Sequence, residues 1–323
     1  MNKINNVIIF PTLRRTLEQL EEESFDLIDD QNYELALEKI DELLAHQYTS
    51  FDTNVNKLHC LTKLGRLQEA EEFSETLLEN ENDENYYDYL GYYIMILYEQ
   101  NNFNALMNTI LEEEKKRKIP SPFDRKFRDI YRLCYQMNVM KSNDVTNDLK
   151  RAVRDENAEE QLFYVQQWLD LNVEPNEFII NCLKDEKVHP VIKTKLLIAF
   201  KERNYSNEMI VEKFGQQVTI QPNELLDITA YPFYRGILNK LAYIEQENPS
   251  LHQLIEQLVY QYHYVSFPYF QQDDHITNMA EAFVYVAKQS LSLEVDGHID
   301  EEFIKDVELI QICSQLYLNL MYE

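Results

Sequence analysis

Only 5 glycines and 9 prolines interrupt the 323 residues. That is too few for the tight turns and strand-to-helix loops of a β-sandwich or a doubly wound sheet. Cysteine is scarce as well: Cys60, Cys134, Cys182 and Cys313 lie far apart and form no CxxC pair, which argues against a disulfide framework or a zinc ribbon. Long apolar runs are missing. The longest, Tyr92 to Tyr98, falls far short of the ~18 residues that span a bilayer, and the apolar stretch before Pro11 is too short for a secretory leader. A reduced, cytoplasmic protein is expected. Basic charge is under-represented, with 30 Lys and Arg against 57 Asp and Glu and a net charge of −27. Such a field repels nucleic acid and anionic membranes, so neither is an expected partner. No GxSxG, Walker, GxGxxG or HExxH sequence occurs, so no nucleophile, phosphate cradle or metal pair stands out, and no cofactor or metal is expected.

What the chain does have is apolar residues, 45% of the total, interspersed with charge at helical spacing. It also has an internal repeat. QNYELALEKIDELL (31 to 44) lies over GRLQEAEEFSETLL (65 to 78) when one is slid by 34 residues: Ala36 falls on Ala70, Tyr33 on Leu67, Leu43 on Leu77 and Leu44 on Leu78. A small residue followed by aliphatics a turn or two later lets one helix sit tightly against another in a hairpin. A looser third copy, 85 to 113, carries Tyr87, Leu90, Gly91 and Ile94, with Leu106 or Ala105 where the small residue would stand.

These residues resemble tetratricopeptide repeats (TPRs), whose first helix carries an aromatic and then Leu-Gly and whose second helix carries the close-packing Ala. The resemblance covers roughly residues 14 to 115. Beyond it, FDRKFRDIYRLCYQMNV, TNDLKRAVRDE and AEEQLFYVQQWLDL read as separate amphipathic helices. Pro175 starts another, and His189-Pro190 opens a segment resembling a HEAT-type hairpin. Alternation on either side of a Gly-containing turn predicts a β-hairpin over 208 to 222, read as a cap on the end of the helical stack. Four further amphipathic segments follow Pro222. The predicted fold is therefore all-α: a TPR-like helical-hairpin solenoid with one β-hairpin insert and a C-terminal helical bundle. Its regions are residues 1 to 120, 121 to 222 and 223 to 323. As a whole the chain is similar to cytoplasmic TPR-like proteins of Gram-positive bacteria, which implies a scaffold and supplies no substrate.

Repeat proteins bind on the face made by the first helix of each hairpin. The repeat frame puts Glu18, Glu21, Glu22 and Phe25 there from the first unit, Asp52, Asn56 and His59 from the second, and Asp88, Tyr89 and Tyr92 from the third. Carboxylates beside rings suit a basic or aromatic protein or peptide. The expected function is a non-catalytic adaptor or chaperone-like scaffold. The alternatives are a peptide-responsive regulator and a metal-dependent enzyme centred on the C-terminal bundle.

Four other segments carry chemistry. Lys115, Lys116, Arg117, Lys118, Arg125, Lys126, Arg128 and Arg132 gather in one stretch, read as a solvated helix end and loop balancing acidic neighbours, or else as a second docking surface. YQYHYVSFPYF (260 to 270) is read as a place where two helices meet and the chain turns at Pro268, or else as the lining of a pocket for a planar or apolar ligand. SLEVDGHIDEEF (292 to 303) has Glu294, Asp296, Gly297 and Asp300 near calcium-loop offsets. Ser292 and Phe303 stand where the first and last carboxylates belong, so Asp300 is read as a helix N-cap. His275, after Asp273 and Asp274, is the nearest thing to an acid–base site.

Overall fold

In the computed structural model, residues 11 to 269, 275 to 295 and 300 to 321 are described. Three helical hairpins come first: α1 (Pro11–Asp29) with α2 (Tyr33–Ala45), α3 (Phe51–Lys63) with α4 (Leu67–Leu78), and α5 (Tyr86–Glu99) with α6 (Phe103–Lys116). Ala36 and Ala70 are fully buried, as is Leu106 at the same place in the third hairpin. The turns repeat too. Gln31, Gly65 and Asn101 each end a first helix with positive φ, and at each its own N–H and the next one donate back to helical carbonyls: Gln31 to Ile28 and Asn32 to Leu27, Gly65 to Thr62 and Arg66 to Leu61, Asn101 to Tyr98 and Asn102 to Leu97. This is the Schellman arrangement, which satisfies carbonyls that a helix end otherwise leaves without donors. The third hairpin is thus in register with the other two despite its looser spacing.

The contacts divide the chain into two compact units, one running to Val139 and the other from Met140. The boundary lies inside α7 (Phe123–Arg154), a continuous helix of 32 residues. This corrects the sequence reading, which broke that stretch into two segments. No Gly or Pro interrupts it, and nothing in its sequence ends the helix.

In the second unit, α8 (Ala158–Asp170), the short α9 (Glu177–Asn181) and α10 (Pro190–Glu202) precede β1 (Met209–Lys213) and β2 (Gln216–Ile220). Then come α11 (Pro232–Leu241), α12 (Ile244–Glu247), α13 (Pro249–Ser266), α14 (Ile276–Ser290) and α15 (Glu301–Met321). One apolar cluster runs from Val145 to Leu320, so the core has no break at 222/223. Gly236 lets α11 come close to α14, since a Cβ there would lie 2.6 Å from Ile276 Cδ1.

The β-hairpin forms where alternation placed it, with Met209 opposite Ile220 and Lys213 opposite Gln216. Phe214 and Gly215, both at positive φ, make the two-residue turn that matches the twist of paired strands. Its position differs from the expected cap, because β1 is built into the core. Met209, Val211, Glu212 and Lys213 are all buried, and Glu212 N–H donates to the Leu183 carbonyl. Buried polar groups must be paired, and these are. Lys193 Nζ donates to the Glu212 carbonyl at 2.5 Å and lies 3.1 Å from its carboxylate. Lys213 Nζ donates to Thr194 Oγ1 at 2.5 Å and to the Val265 carbonyl at 2.9 Å. Among the described residues no helix is long and apolar enough to cross a membrane.

Candidate functional site

The first helices of successive hairpins pack side by side, α1 on α3 and α3 on α5, giving one face in the first unit. Glu18 and Glu22 on α1 are exposed, and Phe25 is half-buried. Glu21 is committed to the scaffold: its carboxylate accepts the hydroxyls of Tyr48 at 2.9 Å, Ser50 at 2.9 Å and Thr53 at 2.8 Å. Ser50 also caps α3, accepting from Thr53 N–H, so one carboxylate ties α1 to the start of the next hairpin.

On α3, Asp52 is exposed, whereas Asn56 and His59 are half-buried. The His59 ring meets Tyr33 edge-on at 5.7 Å. Burial, helped by Lys63, holds its pKa below the usual histidine value. On α5, Asp88 is exposed and Tyr92 is half-buried. Tyr89 is only 3% exposed. Its hydroxyl accepts from Asn54 Nδ2 at 3.2 Å, and its ring lies 5.6 Å from that of Phe51. Tyr89 is therefore a packing residue between α3 and α5. Burial raises the pKa of both Tyr89 and Tyr92, and the charges of Asp88 and Asp52 add to the rise in each. Asp52 and Asp88 thus stand exposed on neighbouring first helices, Asp88 one turn before Tyr92, while Glu21 and Tyr89 serve the framework. The hydroxyls around Glu21 went unread in the sequence. Ser50 and Thr53 at the start of α3 signal a cap, but nothing local shows that the cap also holds a carboxylate from the previous hairpin.

The basic segment is partly paired. Arg117 meets Glu113 at 2.6 Å and Glu81 at 3.3 Å and lies over the Tyr86 ring, while Lys116 meets Glu81 at 3.7 Å. Buried Glu113 accepts the hydroxyls of Tyr86 and Tyr87 at 3.1 Å. Burial, then the Glu113 charge, pushes the Tyr86 pKa up to about 12.

The aromatic cluster lies at the end of α13 as packing. Tyr262, His263, Tyr264, Val265, Ser266 and Phe267 are buried, and the chain turns at Pro268. The Tyr269 hydroxyl sits 2.6 Å from the Val211 carbonyl and 2.7 Å from that of Gln216, fastening the β-hairpin. Asp300 caps α15, accepting from Phe303 N–H at 2.8 Å. Asp296, Gly297 and His298 lie outside the described residues, as do Asp273 and Asp274. His275 Nε2 is 2.9 Å from Asp306 Oδ2, with Glu302 4.0 Å from the other ring nitrogen. Among the described residues no group of three His, Cys, Asp or Glu side chains is placed to hold a metal ion. The four cysteines are buried free thiols, and burial raises the pKa of each.

No family model matches the chain, and no solved structure does. Among curated proteins, TPR repeat-containing protein YsoA of Bacillus subtilis (strain 168) is 26% identical over 323 residues, covering 96% of this chain and 95% of that protein. The similarity is to a TPR protein along nearly the whole length of both chains, and it agrees with the three turn-matched hairpins. The resemblance to the tetratricopeptide-repeat family read from the N-terminal third therefore stands.

Proposed function

We propose that the chain is a non-catalytic interaction scaffold of the cytoplasm, and that the face made by α1, α3 and α5 takes a basic or aromatic segment of a partner protein. The observation that carries this is that Asp52 and Asp88 stand exposed on α3 and α5, two first helices that pack on one another, with half-buried Tyr92 one helical turn beyond Asp88. Exposed carboxylates on neighbouring helices, one of them a turn from a half-buried ring, offer both charge and stacking area to a Lys or Arg side chain. Glu18 and Glu22 extend the negative field along α1, and Phe25, Asn56 and His59 supply the less polar part of the face. Glu21 and Tyr89 hold the helices in place. The acidic surface speeds encounter with a cationic segment and repels acidic ones.

The test is fluorescence anisotropy with a labelled octapeptide of Lys and Arg around one Tyr, comparing the full chain with an Asp52→Lys, Asp88→Lys variant. Both positions are exposed but lie in the first turns of α3 and α5, where the helix dipole disfavours lysine, so an Asp52→Asn, Asp88→Asn variant runs beside it and binding is compared only where circular dichroism shows unchanged helicity. Salt-sensitive binding weakened at least tenfold in the variant supports the assignment. Equal binding by the two proteins refutes it.

A further inference from the structure

Elsewhere in the first unit, the end of α6, the connecting residues 117 to 122 and the first turns of α7 enclose a cleft of about 840 Å³. Five cations line it, Lys115, Arg117, Lys118, Arg128 and Arg132, against two carboxylates, Glu114 and Asp124, in a chain of net charge −27; Arg117 is held by Glu113 and Glu81 from outside the lining. Its apolar part is made by Ile110, Leu111, Ile119 and Tyr131.

Helix stability accounts for only part of this basic segment, and for only one of the five cations in the cleft, Lys115. Lys115 and Lys116 lie in the last turn of α6, where positive charge complements the helix dipole. At the start of α7 the dipole disfavours positive charge, yet Arg125 and Lys126 follow within three residues of its first residue, and Arg128 and Arg132 continue along it. Local neutralisation is also incomplete. Arg128 is drawn to Asp124 at 2.7 Å and Glu114 at 3.7 Å, and Arg132 to Asp129 at 3.5 Å, so these two arginines use the cleft's own acids and one beside it. Lys115 and Lys118 are exposed, and no carboxylate of the described residues pairs with either.

From this geometry we infer a second docking site, for an acidic peptide segment bearing one apolar side chain. Lys115, Lys118 and the exposed Arg132 take Asp or Glu carboxylates, Arg132 by two-pronged hydrogen bonding, while Leu111, exposed at 37%, and Tyr131 receive the apolar group. Polyanions without such a group are poorer occupants, because they leave the apolar part uncovered and meet the field of the whole chain. The site is opposite in sign to the α1/α3/α5 face, so the two select different partners, and either holds if the other fails.

The test is anisotropy of a fluorescein-labelled octapeptide, three Glu, Leu-Phe, three Glu, with the full chain. A Lys115→Glu, Lys118→Glu, Arg132→Glu variant and the Asp52→Lys, Asp88→Lys variant run beside it. The expected result is saturable binding that weakens with salt, falls at least tenfold in the cleft variant, and persists in the other. Replacing Leu-Phe by Ser-Ser should weaken it several-fold. Absence of binding, or equal binding by the cleft variant with helicity intact, overturns the site. Equally tight binding of a single-stranded oligonucleotide of matched charge overturns the assignment to peptides and leaves a general polyanion surface.

Discussion

The hydroxyl of Thr53 at the start of α3 donates to the carboxylate of Glu21 on α1 across 2.8 Å, and this contact makes the first hairpin dependent on the second. With Tyr48 and Ser50 donating to the same carboxylate, Glu21→Ala removes the acceptor for three part-buried hydroxyls. A loss of about 1 to 3 kcal/mol is expected, read as a lower urea midpoint by far-ultraviolet circular dichroism. Glu21→Gln keeps one carbonyl acceptor and should lose less. An alanine variant as stable as wild type would show that water replaces the carboxylate at no cost.

His263 packs among the rings of Phe233, Tyr234 and Tyr262, and burial lowers its pKa to about 4, against a backbone hydrogen bond to Val259 that opposes the shift. Between pH 6.5 and about 4 the unfolded chain gains a proton that the folded chain refuses. Stability therefore falls as pH falls through that window, by on the order of 3 kcal/mol for this group. His189, lowered to about 4 by burial and by the Lys213 charge, adds a term of the same sign. His263→Phe should reduce the difference in unfolding free energy between pH 7 and pH 4.5, whatever it does to stability at pH 7. Trp168, fully buried and the sole tryptophan, makes fluorescence a readout of this unit. An undiminished pH dependence in the variant would place the proton uptake elsewhere.

How much of this was legible in the sequence differs from element to element. Ala36 and Ala70 could be found by their spacing because close helix packing needs a small side chain and tolerates little else. The third hairpin blurred because Leu106 replaces that alanine, and only the turn geometry at Asn101 restores the register. The β-hairpin was visible in its alternation, and the same alternation held an unread message: Met209, Val211 and Lys213 share one strand face, so burying the first two buries the lysine. What could not be read was where Lys213 finds its acceptors, since Thr194 and Val265 come from two other helices. Likewise, first-helix position alone marked Glu21 and Tyr89 as surface candidates. Their partners, Thr53 and Asn54, lie on the neighbouring hairpin and claim them for packing.

Lys213 offers a sharper test of burial. Desolvation, reinforced by the Lys193 charge, sets its pKa well below the usual lysine value. From that depressed value up to about 10.5 the unfolded state binds more protons than the folded one. This group therefore makes stability rise with pH across the window and imposes its largest penalty on the acid side. Lys213→Met keeps the length of the side chain and removes the ionisation. Its unfolding free energy, compared with wild type at pH 7 and pH 9.5, should lack the wild-type rise attributable to this amine. Parallel pH profiles for the two proteins would mean that Lys213 stays protonated in the fold.

Phe214 occupies the first turn position of the β-hairpin at φ +52, exposed at 46%. A side chain without a polar group gains nothing there to offset left-handed backbone, whereas Asn tolerates it. Gly215, at φ +73 with open space where a Cβ would stand, is the residue that the second position favours. Phe214→Asn should therefore stabilise the second unit by about 0.5 to 1 kcal/mol, and Gly215→Ala should destabilise it by a similar amount. Both are measured by urea unfolding followed through Trp168. The pair separates backbone from side-chain effects: if Gly215→Ala costs stability but Phe214→Asn costs it too, the turn conformation matters and the Phe214 ring contributes packing that exceeds its backbone strain. That packing would come from a small cavity of about 280 Å³, which Phe214 lines with Lys213, Tyr262 and Tyr269, and a further Phe214→Leu variant that recovers wild-type stability would assign the contribution to apolar contact there.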